Sequence, residues 1–192
     1  MQVHPRGYVG AHHETIGSDI LAALATIHSP KDVLGREWLE RLAPVTPDGW
    51  YPIALLLELL EYLDKRTGLA SVLKMGRQLY QDSHAKRVGK SAACAGDIVY
   101  GIDGLYHHAN RGTDIGGWRV LKFRPGVAVL EKTTPHHCAL EEGIVHEALH
   151  TVGADSMIVQ STCMRRGADS CVFELRSAIR DHRWLGSHPQ VG

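Results

Sequence analysis

The chain lacks an excess of charge of either sign: 21 lysines and arginines stand against 21 aspartates and glutamates over 192 residues. Nucleic-acid binders normally carry a basic excess, so no nucleic-acid partner is expected. It lacks a long apolar run free of charge. The longest, around Ile53–Leu63, is broken by Glu58 and Glu61, so no membrane span is expected. The N-terminus, MQVHPRGYVGAHHETIG, has no apolar segment after Arg6 and does not read as a secretory signal. Cysteine is sparse, four in all and without a CxxC pair. With no secretory signal, reduced thiols in a cytoplasmic protein are the expectation. There is no internal repeat. Arg87-Val88-Gly89-Lys90-Ser91 ends like a phosphate-binding loop but lacks its earlier glycine. What is plentiful is histidine, 13 in all, which suits either a pH-sensitive surface or a set of metal or haem ligands. The length fits one domain with a core of its own.

Along the chain, residues 1–14 read as a flexible leader and 15–44 as N-terminal helices. Ile16, Ile20, Leu24 and Ile27 recur at helical spacing. Ser29-Pro30 then opens a second helix, which Pro44 and Pro47 end. Trp50-Tyr51-Pro52 leads into IALLLELLEYLDKRTG, apolar almost all round at its start, with Gly68 as its stop. A helix is expected over Leu69–Ala85, where Gly76 lets a neighbour approach closely. Another is expected over Ser91–Asn110. GWRVLKF and VAVLEKT flank Arg124-Pro125-Gly126 as a hairpin. A helix over Ala139–Val152, strands over Ser156–Thr162 and Ser170–Leu175, and a fraying tail over 177–192 complete the order. Helices followed by hairpin, helix and hairpin indicate an α+β fold, with N-terminal helices packed on a small antiparallel sheet.

The stretch His136–Leu175 concentrates the chemistry. His146-Glu147-Ala148-Leu149-His150 places two histidines at i and i+4 with a glutamate between them, the zincin arrangement. Gly153 falls where a metzincin needs it, but the next ligand position holds Ser156, and Asp155 is one residue off. On a helical wheel Leu140, Ile144, Val145, Ala148, Leu149 and Val152 form the buried arc. His146 and His150 lie opposite, beside Glu142. Cys138, Cys163 and Cys171 form a second set, since the last hairpin brings two of them together. Three such thiolates hold a structural zinc if a fourth ligand joins them. Alternatively Cys171, in the apolar run CVFEL, is a small core residue.

A helix ending in glycine, a strand, then Cys163-x3-Gly167-x3-Cys171 followed by Val172-Phe173-Glu174-Leu175 resembles the 4-vinyl-reductase domain. That domain belongs to a wider set of α+β ligand-binding domains that includes the haem–nitric-oxide-binding fold. Trp50-Tyr51-Pro52, Met75-Gly76-Arg77, the hairpin Gly117–Thr133 and Leu140–Ile144 agree with it, over residues 45–176. The resemblance implies a zinc held by Cys138, Cys163 and Cys171. The position of the family's acidic ligand holds Gln160, so the fourth bond falls to His136 or His137. It also implies a haem reading, in which His107 or His108 on the helix before the hairpin ligates iron. The haem-propionate motif Tyr-x-Ser-x-Arg is missing; that strand reads LEKTT. The implied ligand cavity lies between helices and sheet, takes small, mostly apolar molecules, and is lined by Tyr100, Ile102, Leu105, Tyr106 and Trp118, with His107 or His108 as the polar contact. No nucleophile–base pair stands out. The resulting expectation is a non-catalytic sensory domain, homodimeric, binding an apolar, aromatic or tetrapyrrole ligand. The alternative is an enzyme, either a tetrapyrrole-type reductase or a zinc hydrolase using His146, Glu147 and His150.

Overall fold

A computed structural model describes residues 10–186 and confirms the α+β class. Strand β1 (Glu14–Ile16) pairs antiparallel with β2 (Trp50–Pro52) and β3 (Asn110–Arg111). So residues 10–14, expected in a leader, belong to the folded body, and His13 is fully buried; residues 1–9 lie outside the described residues. The helix expected from Thr15 begins only at Gly17 and runs to Ala25 (α1), because the chain is first used as a strand. Helices α2 (Pro30–Leu42) and α3 (Ile53–Thr67) follow; α3 buries Leu56, Leu57, Leu59, Leu60 and Leu63.

Helix α4 (Leu69–Leu79) does not continue smoothly to Ala85. It passes through a π-helical turn, Tyr80–His84, into the short α5 (Ala85–Val88). The next helix starts later than the periodicity indicates, as α6 (Ala95–Ala109). The Asp97 carboxylate accepts from the backbone N–H groups of Ala93 and Cys94, at 2.8 and 3.2 Å, which fixes the first turn there.

Strands β4 (Trp118–Arg124) and β5 (Val127–Lys132) form the expected hairpin. Helix α7 (Cys138–Thr151) leads to β6 (Met157–Thr162) and β7 (Cys171–Arg176), completing an antiparallel sheet of order β4-β5-β7-β6. The tail does not simply fray. It forms α8 (His182–Leu185), whose Trp184 is fully buried against Phe123; residues 187–192 lie outside the described residues.

The apolar side chains form two cores. One joins α1–α4 through Ile20, Trp38, Leu60, Met75 and Leu79. The other joins α6, the large sheet and α8 through Ile98, Ile102, Trp118, Leu130, Phe173 and Trp184. Helix α7 serves both: Leu140 is buried in the first and Val145 and Leu149 in the second, while Ile144 packs on each. It meets α4 at Gly76 and Gly143. A Cβ on Gly76 would run into the Leu140 carbonyl, and one on Gly143 into the Leu73 carbonyl, so the two helices touch backbone to backbone. The expectation for Gly76 holds for this reason.

Candidate functional site

Between the two cores lies a cavity of about 30 Å³. Leu79, Ile102, Leu105, Trp118, Leu140 and Ile144 give it apolar walls. Polar groups enter from three directions. His84, delivered by the π-helical turn, places Nε2 3.5 Å from the Asp19 carboxylate of α1, and both residues are buried. Asn110, at the end of α6, donates to the Tyr106 carbonyl at 2.9 Å. His136, ahead of α7, packs edge-on against Tyr106 with ring centroids 5.5 Å apart. His84 Nδ1, Asn110 Oδ1 and His136 Nε2 are all buried without a hydrogen-bond partner. Burial, with Lys132 adding to it, brings the His136 pKa down to about 3, so its ring is neutral. The Tyr106 hydroxyl donates to the Ile115 carbonyl at 2.9 Å, and burial with the nearby Asp103 charge raises its pKa far above the usual phenol range.

Behind His136 a charged network closes the site. Lys132, fully buried on β5, lies 2.8 Å from the Glu141 carboxylate and donates to the His136 carbonyl at 2.7 Å. Thr134 donates to the other Glu141 oxygen at 2.6 Å. The same ammonium is 3.8 Å from Cys138 Sγ, and so links the cavity to the thiol cluster.

Cys138, Cys163 and Cys171 are brought together: the last hairpin joins Cys163 to Cys171, and Cys138, added through the family resemblance, meets both. Cys138 Sγ is 3.8 Å from Cys163 Sγ and 3.6 Å from Cys171 Sγ. The Cys171 hydrogen bond, with help from Lys132, holds Cys138 well below the usual thiol range. Its partner Cys171 is pushed up, first by donating to Cys138 and then by burial. A tetrahedral zinc with bonds of about 2.3 Å sets its sulfurs about 3.8 Å apart, so the thiols fit a zinc face. His137 does not complete it. Its Nδ1 accepts from the Ala139 N–H at the start of α7, and its Nε2 faces Asp64 at 3.3 Å. Nor does His136, whose ring faces Tyr106. Gln160, half-buried with its Nε2 atom enclosed and unpartnered, is the polar side chain beside Cys138.

Of the residues expected to line a cavity, Ile102, Leu105, Tyr106 and Trp118 do so. Tyr100 does not: it is 64% exposed and packs on Phe123, because it sits across α6 from Ile98 and Ile102. His107 lies at the surface, 3.5 Å from Asp103. His108 faces a second cleft, on the other side of Ile102 and Leu105. Neither α6 histidine reaches the central cavity, which has room for about one water-sized group, so the donor set carried over for haem does not fit there. Two of the three HEALH candidates are spoken for, while His146, expected on the exposed arc, is half-buried with Nδ1 unpartnered. His150 pairs with Asp155 at 2.7 Å in solvent, and Glu147 accepts from Gln81. Among the described residues, the three cysteines are the one cluster with metal-binding geometry.

Sequence reasoning missed Asp19, His84, Asn110 and Glu141. One signal was available. Lys132 follows Leu130 on the inward-facing positions of a strand, and a lysine there needs a buried anion.

No protein-family model matches the chain, and no curated protein does. Solved structures do. An H-NOX protein from S. oneidensis in the Fe(II) state aligns at TM-score 0.67 and 20% identity, over 88% of this chain and 99% of that one. An unliganded Fe(II) H-NOX protein from K. algicida aligns at TM-score 0.63 and 13% identity, over 84% and 96%. At these identities the likeness speaks for architecture, and the chain has the haem–nitric-oxide-binding fold.

Proposed function

We propose that this chain is a non-catalytic, small-molecule-binding sensory domain whose ligand occupies the cavity between the two cores. One observation carries the reading. Three unpartnered buried polar atoms, on His84, Asn110 and His136, converge on one apolar-walled cavity. Each such atom costs about 1–3 kcal/mol when left unsatisfied. A ligand with an apolar body and one or two hydrogen-bonding groups satisfies them. The ligand class is apolar or aromatic, with a ring packed against Trp118 and a polar substituent toward His84 or His136. The cavity has to widen to admit a ring, and that widening parts the two cores; this displacement is the signal. The vinyl-reductase-type resemblance favours the same reading. An enzymatic role finds less support, since Glu147 and His150 have other partners and, among the described residues, no nucleophile–base pair faces the cavity.

The test is native mass spectrometry of the purified chain, followed by fluorescence titration with phenol and with toluene. A copurifying or saturably bound small molecule, weakened at least tenfold by His84→Leu, is the expected result. If neither compound binds and nothing copurifies, the reading is wrong. A Soret band after haem addition would return the haem reading.

We also infer a structural zinc at Cys138, Cys163 and Cys171, with Gln160 or a water as the fourth ligand. The sulfur separations and the lowered Cys138 pKa support it. Metal analysis should give one zinc per chain in the wild type and none in Cys163→Ala. Full metal in that variant, or retention lost only in His146→Ala, would refute the site.

A further inference from the structure

Helix α6 has a second side. Opposite the central cavity, α5, the following loop, α6 and Ala148 of α7 enclose a surface cleft of about 180 Å³. Its floor is apolar: Tyr80, Val88, Ile98, Ile102 and Leu105. Its mouth carries Arg87, Ser91 and His108. The Arg87 side chain makes no ion pair or hydrogen bond among the described residues, unlike Arg41, Arg111 and Arg119, which each pair with a glutamate.

The glycines of α6 speak for the cleft being kept open. At Gly76 and Gly143 a side chain would strike a neighbouring backbone, so packing accounts for those residues. At Gly101 and Gly104 an added Cβ meets no heavy atom within 4 Å. Neither has positive φ, so neither backbone demands glycine. Two glycines inside a helix weaken it, and no contact here compensates. What they do is leave the cleft wall bare. An apolar cavity of about 150 Å³ accepts a benzene-sized molecule, so the space suits one ring.

The charges orient the occupant. Asp97 lines the same cleft, but its carboxylate is taken by the N–H groups of Ala93 and Cys94. It repels an anion from that end. Arg87 attracts one at the other; burial first, and then the Arg87 charge, lowers the His108 pKa. The His108 ring and the Ser91 hydroxyl stand beside the guanidinium as further hydrogen-bonding groups.

We propose that this cleft binds a monocyclic carboxylate, with its ring on Ile98, Ile102 and Leu105 beside Gly101 and Gly104, and its carboxylate held by Arg87 with Ser91 or His108. The site is separate from the central cavity. Because Ile102 and Leu105 wall both, an occupant of one presses on the other.

Isothermal titration of the full chain with benzoate, benzyl alcohol and inorganic phosphate tests this. Benzoate should bind saturably with one site per chain. Benzyl alcohol should bind at least about tenfold more weakly, the usual consequence of losing a charge-assisted hydrogen bond. Phosphate alone should not bind. Arg87→Met should bring benzoate down to the benzyl alcohol level, and Gly104→Leu should abolish both by filling the wall. Both positions are exposed and should melt no lower than wild type. Trp118→Leu, which alters the central cavity, should leave benzoate affinity within about twofold, so failure here and failure of the central site can be told apart. Equal affinity for benzoate and benzyl alcohol, binding unaffected by Gly104→Leu, or no saturable benzoate heat would each overturn the proposal.

Discussion

Replacing Lys132 with methionine removes one partner of a fully buried ion pair while keeping the side-chain length. In the wild type the ammonium lies 2.8 Å from Glu141 and donates to the His136 carbonyl at 2.7 Å, with only 1% of the residue exposed. In the variant Glu141 keeps the Thr134 hydrogen bond at 2.6 Å and loses its counter-charge. Stranding one buried charge costs about 3–5 kcal/mol. The whole stability of a domain is about 5–15 kcal/mol. Lys132→Met should therefore lose a large fraction of it, with the urea midpoint falling and the slope unchanged. Glu141→Gln alone should cost less, because the lysine keeps the His136 carbonyl and the Cys138 sulfur at 3.8 Å. The double variant Lys132→Met, Glu141→Gln leaves no stranded charge and keeps an acceptor for Thr134. It should recover to within about 2 kcal/mol of wild type, as replacement of whole buried pairs often does. Urea denaturation of the four proteins, in reducing buffer with a chelator, gives the coupling directly. A Lys132→Met cost below about 1 kcal/mol, or a double variant no better than the single, would mean that the pair is not closed in solution.

Other outcomes follow from the same geometry. Gly143→Val forces α7 away from α4 and should destabilise by about 3 kcal/mol in thermal melts, the upper range for overpacking. Gly101→Ala, facing open space, should instead stabilise by about 0.5–1 kcal/mol, and a lowered melting temperature would contradict the open wall. The hydrogen bond to Asp155 raises the His150 pKa. Whatever that contact adds to stability is therefore present below about pH 6.5, the ordinary histidine value, and lost as pH rises through the raised one. An NMR titration should place His150 above the ordinary value in wild type and return it there in Asp155→Asn.

The helices with a strong apolar stripe were readable from sequence, because α3 and α7 each bury residues at helical spacing over more than three turns. So was the hairpin, from its proline-glycine turn. The small sheet was not: β1 and β2 have three residues each, too few for alternation to register. Tyr100 was misjudged although the phase of α6 was available, since Ile98, Ile102 and Tyr106 define a face that excludes it. Two thirds of the cysteine cluster was legible, for a hairpin must bring Cys163 and Cys171 together, whereas Cys138 joined them only through the family resemblance. The polar side of the cavity was not. Asp19 and His84 are 65 residues apart, and their meeting depends on a π-helical turn that no local pattern in Tyr80–His84 announces.

The contact between Gly76 and Gly143 bears on how the domain moves. Most helix pairs interlock through side-chain knobs, and sliding one past the other means lifting each knob over a ridge. Here two smooth backbones meet instead, in the manner of a bearing. Helix α7 carries Cys138 at one end and Leu140, Glu141 and Ile144 along its middle, so a small axial shear would move the thiol cluster, the buried carboxylate and the cavity wall as one rigid rod.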